Sequence, residues 1–132
     1  MADVLDEEIK KSLNKLQNDR DPTNWFSISY AEGSTDKFLL NNIGNGGINE
    51  LSRSLGQTFF GYAYLRINSQ RGKSKYALIQ YVGEKCTALQ KARVIVHEED
   101  VLAVLKPIDV QISASSPQDL TEKKIMAALS SK

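Results

Sequence analysis

The sequence predicts an α/β fold of the α+β type, in which a central mixed β-sheet of five to six strands is flanked by four helices. Segments with the period of amphipathic helices alternate with short strand-like segments along the chain. Two of these segments, 57–67 and 75–82, are apolar on both faces, as is typical of central strands covered by helices on each side. The loop between them is too short for a crossover helix, so the two strands should pair antiparallel.

The first part of the chain predicts a helix, a hairpin and a second helix. Residues 3–18 place leucine and isoleucine at spacings of four, four and three, and Pro22 is expected to stop this helix. Residues 25–30 alternate as a half-buried strand, and 37–43 form its expected hairpin partner. A short helix around 48–55 follows, with its apolar residues on one side.

Residues 87–106 predict a long helix with an interruption. Thr87 is a suitable N-cap, and Leu89, Ala92 and Val96 share one helix face. The β-branched run 94–96 restricts side-chain rotamers in a helix, so we expect a kink or break near 96–99. Pro107 should end the segment.

The C-terminal part predicts a strand over 109–114 and a final helix over about 117–130. Ser116 followed by Pro117 fits an N-cap with proline at the first helical position. The final helix should bury Leu120, Ile125, Ala128 and Leu129. With 132 residues, we expect a single domain over 1–132.

Bulk features predict a soluble cytoplasmic protein, and we expect it to be a monomer. The lone cysteine, Cys86, cannot form an internal disulfide, which suggests a reducing compartment. The N-terminal residues do not resemble a signal peptide, and no apolar stretch approaches the roughly 20 residues that span a bilayer. We therefore expect no membrane partner.

The sequence offers no convincing catalytic, cofactor or metal site, and we predict that the protein is not an enzyme. Phosphate-binding glycine motifs are missing. His97 is expected on the surface or at a helix cap, and Cys86 is expected to be packed and inert. The acidic run 98–100 fits the start of a helix, where carboxylates stabilise the positive end of the dipole.

The strongest functional signal is a basic stretch at 71–93. It carries six basic residues and one acidic residue, so the rest of the chain has a net charge of −4 against a total of +1. Such concentrated charge can steer an acidic partner. By strand rise, its loop and helix portions could lie up to about 25 Å apart, which suits a protein interface better than a small-molecule pocket.

The sequences of several segments resemble those of the coactosin family, which belongs to the actin-depolymerising-factor homology domains that also include cofilin. The matching phrases cover essentially the whole chain: KSKYALIQYVGE, ALQKAR, NW…YAEGS…DK, the VH-acidic-DV segment at 96–101, and QISASSPQDL…IM. The resemblance implies a mixed sheet with four flanking helices and a kinked third helix, matching the element order above.

The resemblance also implies a function. Members bind along the side of actin filaments without enzymatic activity, so filamentous actin is the expected partner, monomeric actin is a second candidate, and the actin cytoskeleton is the expected location. The long helix would contact actin, as would the basic loop before the strand, with Lys75 as the leading candidate. The expected actin-binding residues are Arg71, Lys73, Ser74, Lys75, Leu89, Gln90, Lys91 and Arg93.

The sequence departs from the family pattern at its ends and in its basic loop. Gly72 separates Arg71 from Lys73, the sequence ends in SSK without a Gly-rich tail, and the cofilin phosphorylation serine is missing. One alternative keeps the fold but assigns cofilin-like monomer binding or filament severing. Nucleic-acid binding is disfavoured because Tyr76 and Tyr81 fit strand burial better than an exposed stacking platform.

Overall fold

A computed structural model describes residues 3–4, 6–18, 20–68 and 74–130. Within these ranges the chain forms five strands and five α-helices. The strands are Trp25–Tyr30 (β1), Phe38–Gly44 (β2), Phe60–Asn68 (β3), Ser74–Val82 (β4) and Val110–Ala114 (β5). The helices are Glu7–Gln17 (α1), Gly47–Ser54 (α2), Ala88–Val96 (α3), Glu98–Val104 (α4) and Glu122–Ser130 (α5). No helix in the described ranges is both long enough and apolar enough to cross a bilayer.

The strands form one mixed sheet in the order β2-β1-β3-β4-β5. The predicted hairpin of β1 and β2 is confirmed, as is the antiparallel pairing of β3 with β4. β5 pairs with β4 in parallel, because the chain crosses back over the sheet through α3 and α4. β3 and β4 are therefore central, as their apolar sequences predicted.

Side chains alternate between the two faces of the sheet and divide the core into two layers. One layer packs against α1, α3 and α4 and contains Phe26, Ile28, Tyr62, Tyr64, Tyr76 and Leu78. The other packs against α2 and α5 and contains Trp25, Ala63, Leu65, Ala77, Ile79 and Tyr81. In this second layer the Trp25 indole donates to the Glu50 carboxylate at 2.9 Å, and this bond lowers the pKa of Glu50.

The prediction that β1 is half-buried is wrong. Its serine face looked solvent-exposed in sequence, but Ser27 is fully buried because the α2 layer covers it. Its hydroxyl accepts a hydrogen bond from the Asn41 side chain at 3.1 Å, which satisfies a polar group that would otherwise be costly to bury.

The first helix is shorter than predicted at both ends. Asp6 caps it by accepting from the Glu8 backbone N–H, while Asp3 instead forms a parallel bridge with Lys37 beside β2. The helix ends at Gln17, well before Pro22, so the proline does not stop it.

The end of α1 is held by Arg66 of β3. The buried guanidinium donates to the carbonyl oxygens of Leu16 and Asn18, each at 2.9 Å, and of Asp21 at 2.8 Å. Carbonyls at a helix end lack partners within the helix, so these bonds satisfy the end of α1 and tie it to the sheet.

The single C-terminal helix predicted over 117–130 is divided. Pro117–Asp119 form a 3-10 turn, and α5 begins only at Glu122. The Asp119 carboxylate accepts from the backbone N–H groups of Ser115 and Ser116, and Thr121 then caps a new helix by accepting from Lys124 N at 3.2 Å. The predicted burial of Leu120 and Ile125 is confirmed.

The predicted break in the long helix is confirmed. α3 ends at Val96, α4 begins at Glu98, and His97 lies between them. The Tyr62 hydroxyl of β3 donates to the Val94 carbonyl, one of the carbonyls that a helix end leaves unpaired. On the far side of the break, Gln80 of β4 donates to the Glu98 carboxylate at 3.1 Å.

We predict that Tyr62→Phe lowers the free energy of unfolding by about 1–3 kcal/mol, because it leaves the buried Val94 carbonyl without its partner. Urea titration measures this loss. Tyr81→Phe is the matched control, since the Tyr81 ring is equally buried but its hydroxyl has no hydrogen-bond partner within the described ranges. Equal stability of the two variants would contradict the assignment.

Candidate functional site

The predicted site residues lie in two groups at opposite ends of β4. Ser74 and Lys75 begin the strand, whereas α3 begins at Ala88, after the strand has ended at Val82. The strand alone spans about 25 Å. Arg71 and Lys73 lie outside the described residues. The described candidates therefore form two separate groups and not one compact cluster.

An apolar strip on α3 faces solvent. Leu89 and Val96 are 70% and 73% exposed and Ile95 is 50% exposed, whereas Val94 on the opposite side of the helix is fully buried. We define the α3 strip as Leu89, Ala92, Ile95 and Val96. The sequence correctly placed three of these residues on one face, but it did not identify Ile95 or show that this face points outward.

The α3 strip is unusual on this surface. The other exposed large apolar side chains within the described ranges are Leu39 and Met126, at 36% and 39% exposure. Scattered apolar residues are common on protein surfaces, but a contiguous patch indicates a binding surface. The strip is therefore the strongest interaction feature of the described residues.

Two cations border the α3 strip. By helix geometry, Lys91 lies on one side of the strip and Arg93 on the other. Lys91 is exposed and has no ion-pair partner within the described ranges. The Arg93 guanidinium lies 5.9 Å from the centre of the Tyr30 ring, a cation–π contact that orients it beside the strip.

Gln90 has a structural role at the start of α3. Its side chain accepts from the Thr87 backbone N–H at 2.9 Å, and Thr87 accepts from the Gln90 N–H at 3.1 Å. This reciprocal capping box confirms Thr87 as the N-cap and fixes the first turn, so the Gln90 side chain is already engaged within the helix.

Tyr30 and His97 support the other end of α3. The Tyr30 hydroxyl lies 2.8 Å from His97 Nδ1. His97 occupies a cap position between the helices, as predicted, but it is buried and not on the surface. Burial raises the pKa of Tyr30 to about 12, against the smaller, opposite influence of nearby Arg93.

Lys75 is held at the start of β4 by an ion pair. Its Nζ lies 4.0 Å from Asp109 Oδ1, and the side chain remains 45% exposed. The second oxygen of Asp109 accepts from the Tyr76 backbone N–H at 2.8 Å. The lysine is therefore oriented but still accessible to a partner.

The residues that the sequence offered as candidates for catalysis or metal binding have structural roles. Cys86 is partly buried, with its Sγ 3.4 Å from the carbonyl oxygens of Thr58 and Phe59, and burial raises the pKa of its thiol. The acidic run 98–100 occupies the first turn of α4, as predicted. Within the described ranges, no group of three or more His, Cys, Asp or Glu residues could hold a metal ion.

Comparison with known proteins assigns the chain to a family. The model of the cofilin/tropomyosin-type actin-binding proteins matches residues 1–130. The chain belongs to this family. Coactosin of Dictyostelium discoideum is 36% identical over 130 residues, covering 96% of this chain and 88% of that protein. The predicted resemblance is confirmed, and the family is one of actin-binding proteins.

Solved structures confirm the fold. Human coactosin-like protein superposes with a TM-score of 0.88 at 20% identity, over 100% of both chains. Mouse coactosin, described as an actin filament binding protein, gives a TM-score of 0.79 at 20% identity, over 98% of this chain and 90% of that one. The mixed sheet between helix layers is thus the fold of these proteins.

We predict that the stability of the protein falls as the pH rises from about 10 towards 12. The pKa of Tyr30 is raised from 10.0 to about 12 by burial, so in this window the unfolded chain releases the phenolic proton while the folded protein retains it. The stabilisation is complete below pH 10 and disappears through the folded pKa. Burial also raises the pKa of Tyr62, Tyr64 and Tyr81.

Denaturant titrations between pH 8 and 11 test this prediction. Tyr30→Phe removes one of the ionising groups, so its unfolding free energy should fall less steeply with pH than that of the parent. The comparison uses slopes against pH, because the variant also loses the His97 contact and starts from a different stability. Identical slopes would show that Tyr30 does not contribute.

Proposed function

We propose that the protein binds along actin filaments through the α3 strip, its bordering cations and the basic start of β4, and that it stabilises the filaments without enzymatic activity. The observation that carries this proposal is the contiguous apolar surface of α3 on a protein whose other apolar residues are largely buried. Its expected location is the cytoplasmic actin cytoskeleton, and the protein would act as a monomer.

The α3 strip supplies the apolar part of the proposed contact. A leucine or isoleucine that passes from water into a partner's groove contributes about 1.5–3 kcal/mol. Leu89 and Val96 are exposed enough to gain most of this on docking. The capping box at Thr87 and the tyrosine contacts near the helix break keep the strip in position before binding, which reduces the ordering cost.

The basic residues would supply the polar part of the proposed contact with actin. Lys91, Arg93 and Lys75 would form charge-assisted hydrogen bonds with carboxylates on actin. Ser74, the first residue of β4, and Arg71 and Lys73, which precede it in the sequence, would extend this group. Such contacts weaken as salt screens them, so binding should decrease at higher ionic strength.

Two observations favour filaments over monomers as the partner. The two groups of candidate residues lie at opposite ends of a strand that spans about 25 Å, which suits an extended polymer surface better than one cleft. Mouse coactosin, which shares the fold, is described as an actin filament binding protein. A contact through α3 alone would instead suit a single cleft on the monomer.

We predict that Leu89→Ala weakens filament binding by about 10- to 100-fold, because the side chain would lose its apolar contact with actin. Cosedimentation with preformed filaments measures the affinity. Met126→Ala is the matched control, since Met126 is also an exposed apolar residue but lies on α5, on the opposite face of the sheet. An equal effect of both changes would argue against docking through α3.

We predict that Lys75→Ala weakens binding by roughly 5- to 150-fold, the range expected when a charged hydrogen bond is lost at an interface. Lys124→Ala is the control, because Lys124 is also half-exposed and makes a comparable ion pair, with Asp119 at 3.8 Å. Unchanged pelleting of Lys75→Ala would remove this residue from the site.

A monomer-binding assay with the same variants separates the alternatives. Loss of monomer binding by Leu89→Ala together with unaffected filament binding would favour the cofilin-like function. Filament lengths followed by light microscopy distinguish stabilisation from severing.

A further inference from the structure

β5 forms an open edge of the sheet. It pairs with β4 on one side, and within the described ranges no strand pairs with its other side. Because a strand directs backbone N–H and C=O groups to both sides, half of those in Val110–Ala114 point away from the sheet. They offer a row of hydrogen-bonding groups to an added strand.

The β5 edge lacks the features that usually prevent another strand from pairing with a sheet edge. Residues 110–114 contain no proline, lysine or other charged residue, and their pairing with β4 runs without a bulge. The opposite edge, β2, differs, because Asp3 N donates to Asp36 O and Phe38 N donates to Asp3 O beside its first residues. β5 is thus the less protected edge of the described sheet.

A groove of about 770 Å³ follows the open edge of β5. Its floor includes Gln111–Ser115, Ala88 and Lys91 of α3 form one wall, and Lys124 and Ala128 of α5 form the other. α3 and α5 lie on opposite faces of the sheet, so a space that touches both passes around the β5 side of the sheet, and it extends to Gly83 and Ser115 beyond the ends of β4 and β5. We call it the β5 groove.

We infer that the β5 groove binds an extended segment of a partner protein, which adds a strand to the sheet beside β5. Main-chain hydrogen bonds would give this contact its affinity, as in other cases of strand addition. A second copy of this chain would bring its own α3 and α5 to the same place, so pairing of two β5 strands is sterically disfavoured.

The walls of the β5 groove indicate the composition of the segment. Side chains of an added strand alternate between the α5 wall, beside Ile112 and Ala128, and the α3 wall, beside Gln111, Ser113 and Lys91. The first environment favours valine-sized apolar residues. On the second, Lys91 has no ion-pair partner within the described ranges, which favours an acidic residue, whereas Lys124 is already paired with Asp119.

The negative charge of Glu84 limits where in the groove an acidic residue of the segment can lie. Glu84 lines the end of the groove in the turn that follows β4. A carboxylate beside Glu84 would be repelled, so the acidic residues of the segment are favoured beside Lys91. The favoured occupant is a segment that alternates small apolar and acidic residues over about five positions.

A synthetic peptide, acetyl-Thr-Val-Glu-Val-Glu-Val-Thr-amide, tests the inference without actin. Saturable binding should slow hydrogen exchange at the amides of β5 that point away from β4, and should slow alkylation of Cys86, which lines the groove. Two N-methylated forms, one modified at the valines and one at the glutamates, provide matched controls. Because alternate amides of a strand face its neighbour, only one of the two forms should lose binding.

Lys91→Glu tests the charge assignment. It should weaken binding of the glutamate peptide by about fivefold and favour the same peptide with lysines in place of the glutamates. Failure to bind at millimolar peptide, or equal binding of both N-methylated forms, would overturn strand addition. Protection of β5 that instead depends on protein concentration would identify a second copy as the occupant. None of these results depends on the proposed actin contact.

Discussion

The contact between the Tyr62 hydroxyl and the Val94 carbonyl determines how the α3 strip is presented. A helix that breaks over a buried sheet leaves carbonyl groups that must find partners. Tyr62 supplies one from the central strand, and His97 bonds with Tyr30 one turn later. The break is thereby held in one geometry, and Val94 stays inside while Ile95 and Val96 turn to solvent. Because Val94 is held against the sheet, the apolar residues on the opposite side of α3 face solvent.

Some residues of α3 hold the helix in place, whereas others are exposed to solvent. Thr87 and Gln90 complete the first turn, Val94 anchors it, and Arg93 rests against the Tyr30 ring. Leu89, in contrast, is 70% exposed and belongs to neither layer of the core. An exposed leucine on a helix that is fixed at both ends has little conformational freedom to lose when a partner covers it, and this gives a stable protein a ready contact surface.

Much of the fold could be predicted because local pattern and tertiary environment agree. The doubly apolar β3 and β4, the β1–β2 hairpin and the helix break all follow from residue types whose preferences match their positions. The errors occurred where a distant side chain decides the outcome. Arg66 sets the end of α1 from fifty residues away in sequence, and covering by α2 buries Ser27 despite its polarity. The outward direction of Ile95 was equally hidden, since a β-branched run gives no sign of which member faces the sheet.

The position of Trp25 decides what intrinsic fluorescence can report. This indole, the sole one in the chain, is bonded to Glu50 inside the layer of α2 and α5. The sheet separates it from α3, whose side of the core carries the tyrosines Tyr62, Tyr64 and Tyr76 together with Phe26 and Phe38. Emission from the indole therefore reports loosening of the layer that contains α2 and α5, and it is insensitive to events at α3. A spectroscopic probe of docking has to be placed on the tyrosine side.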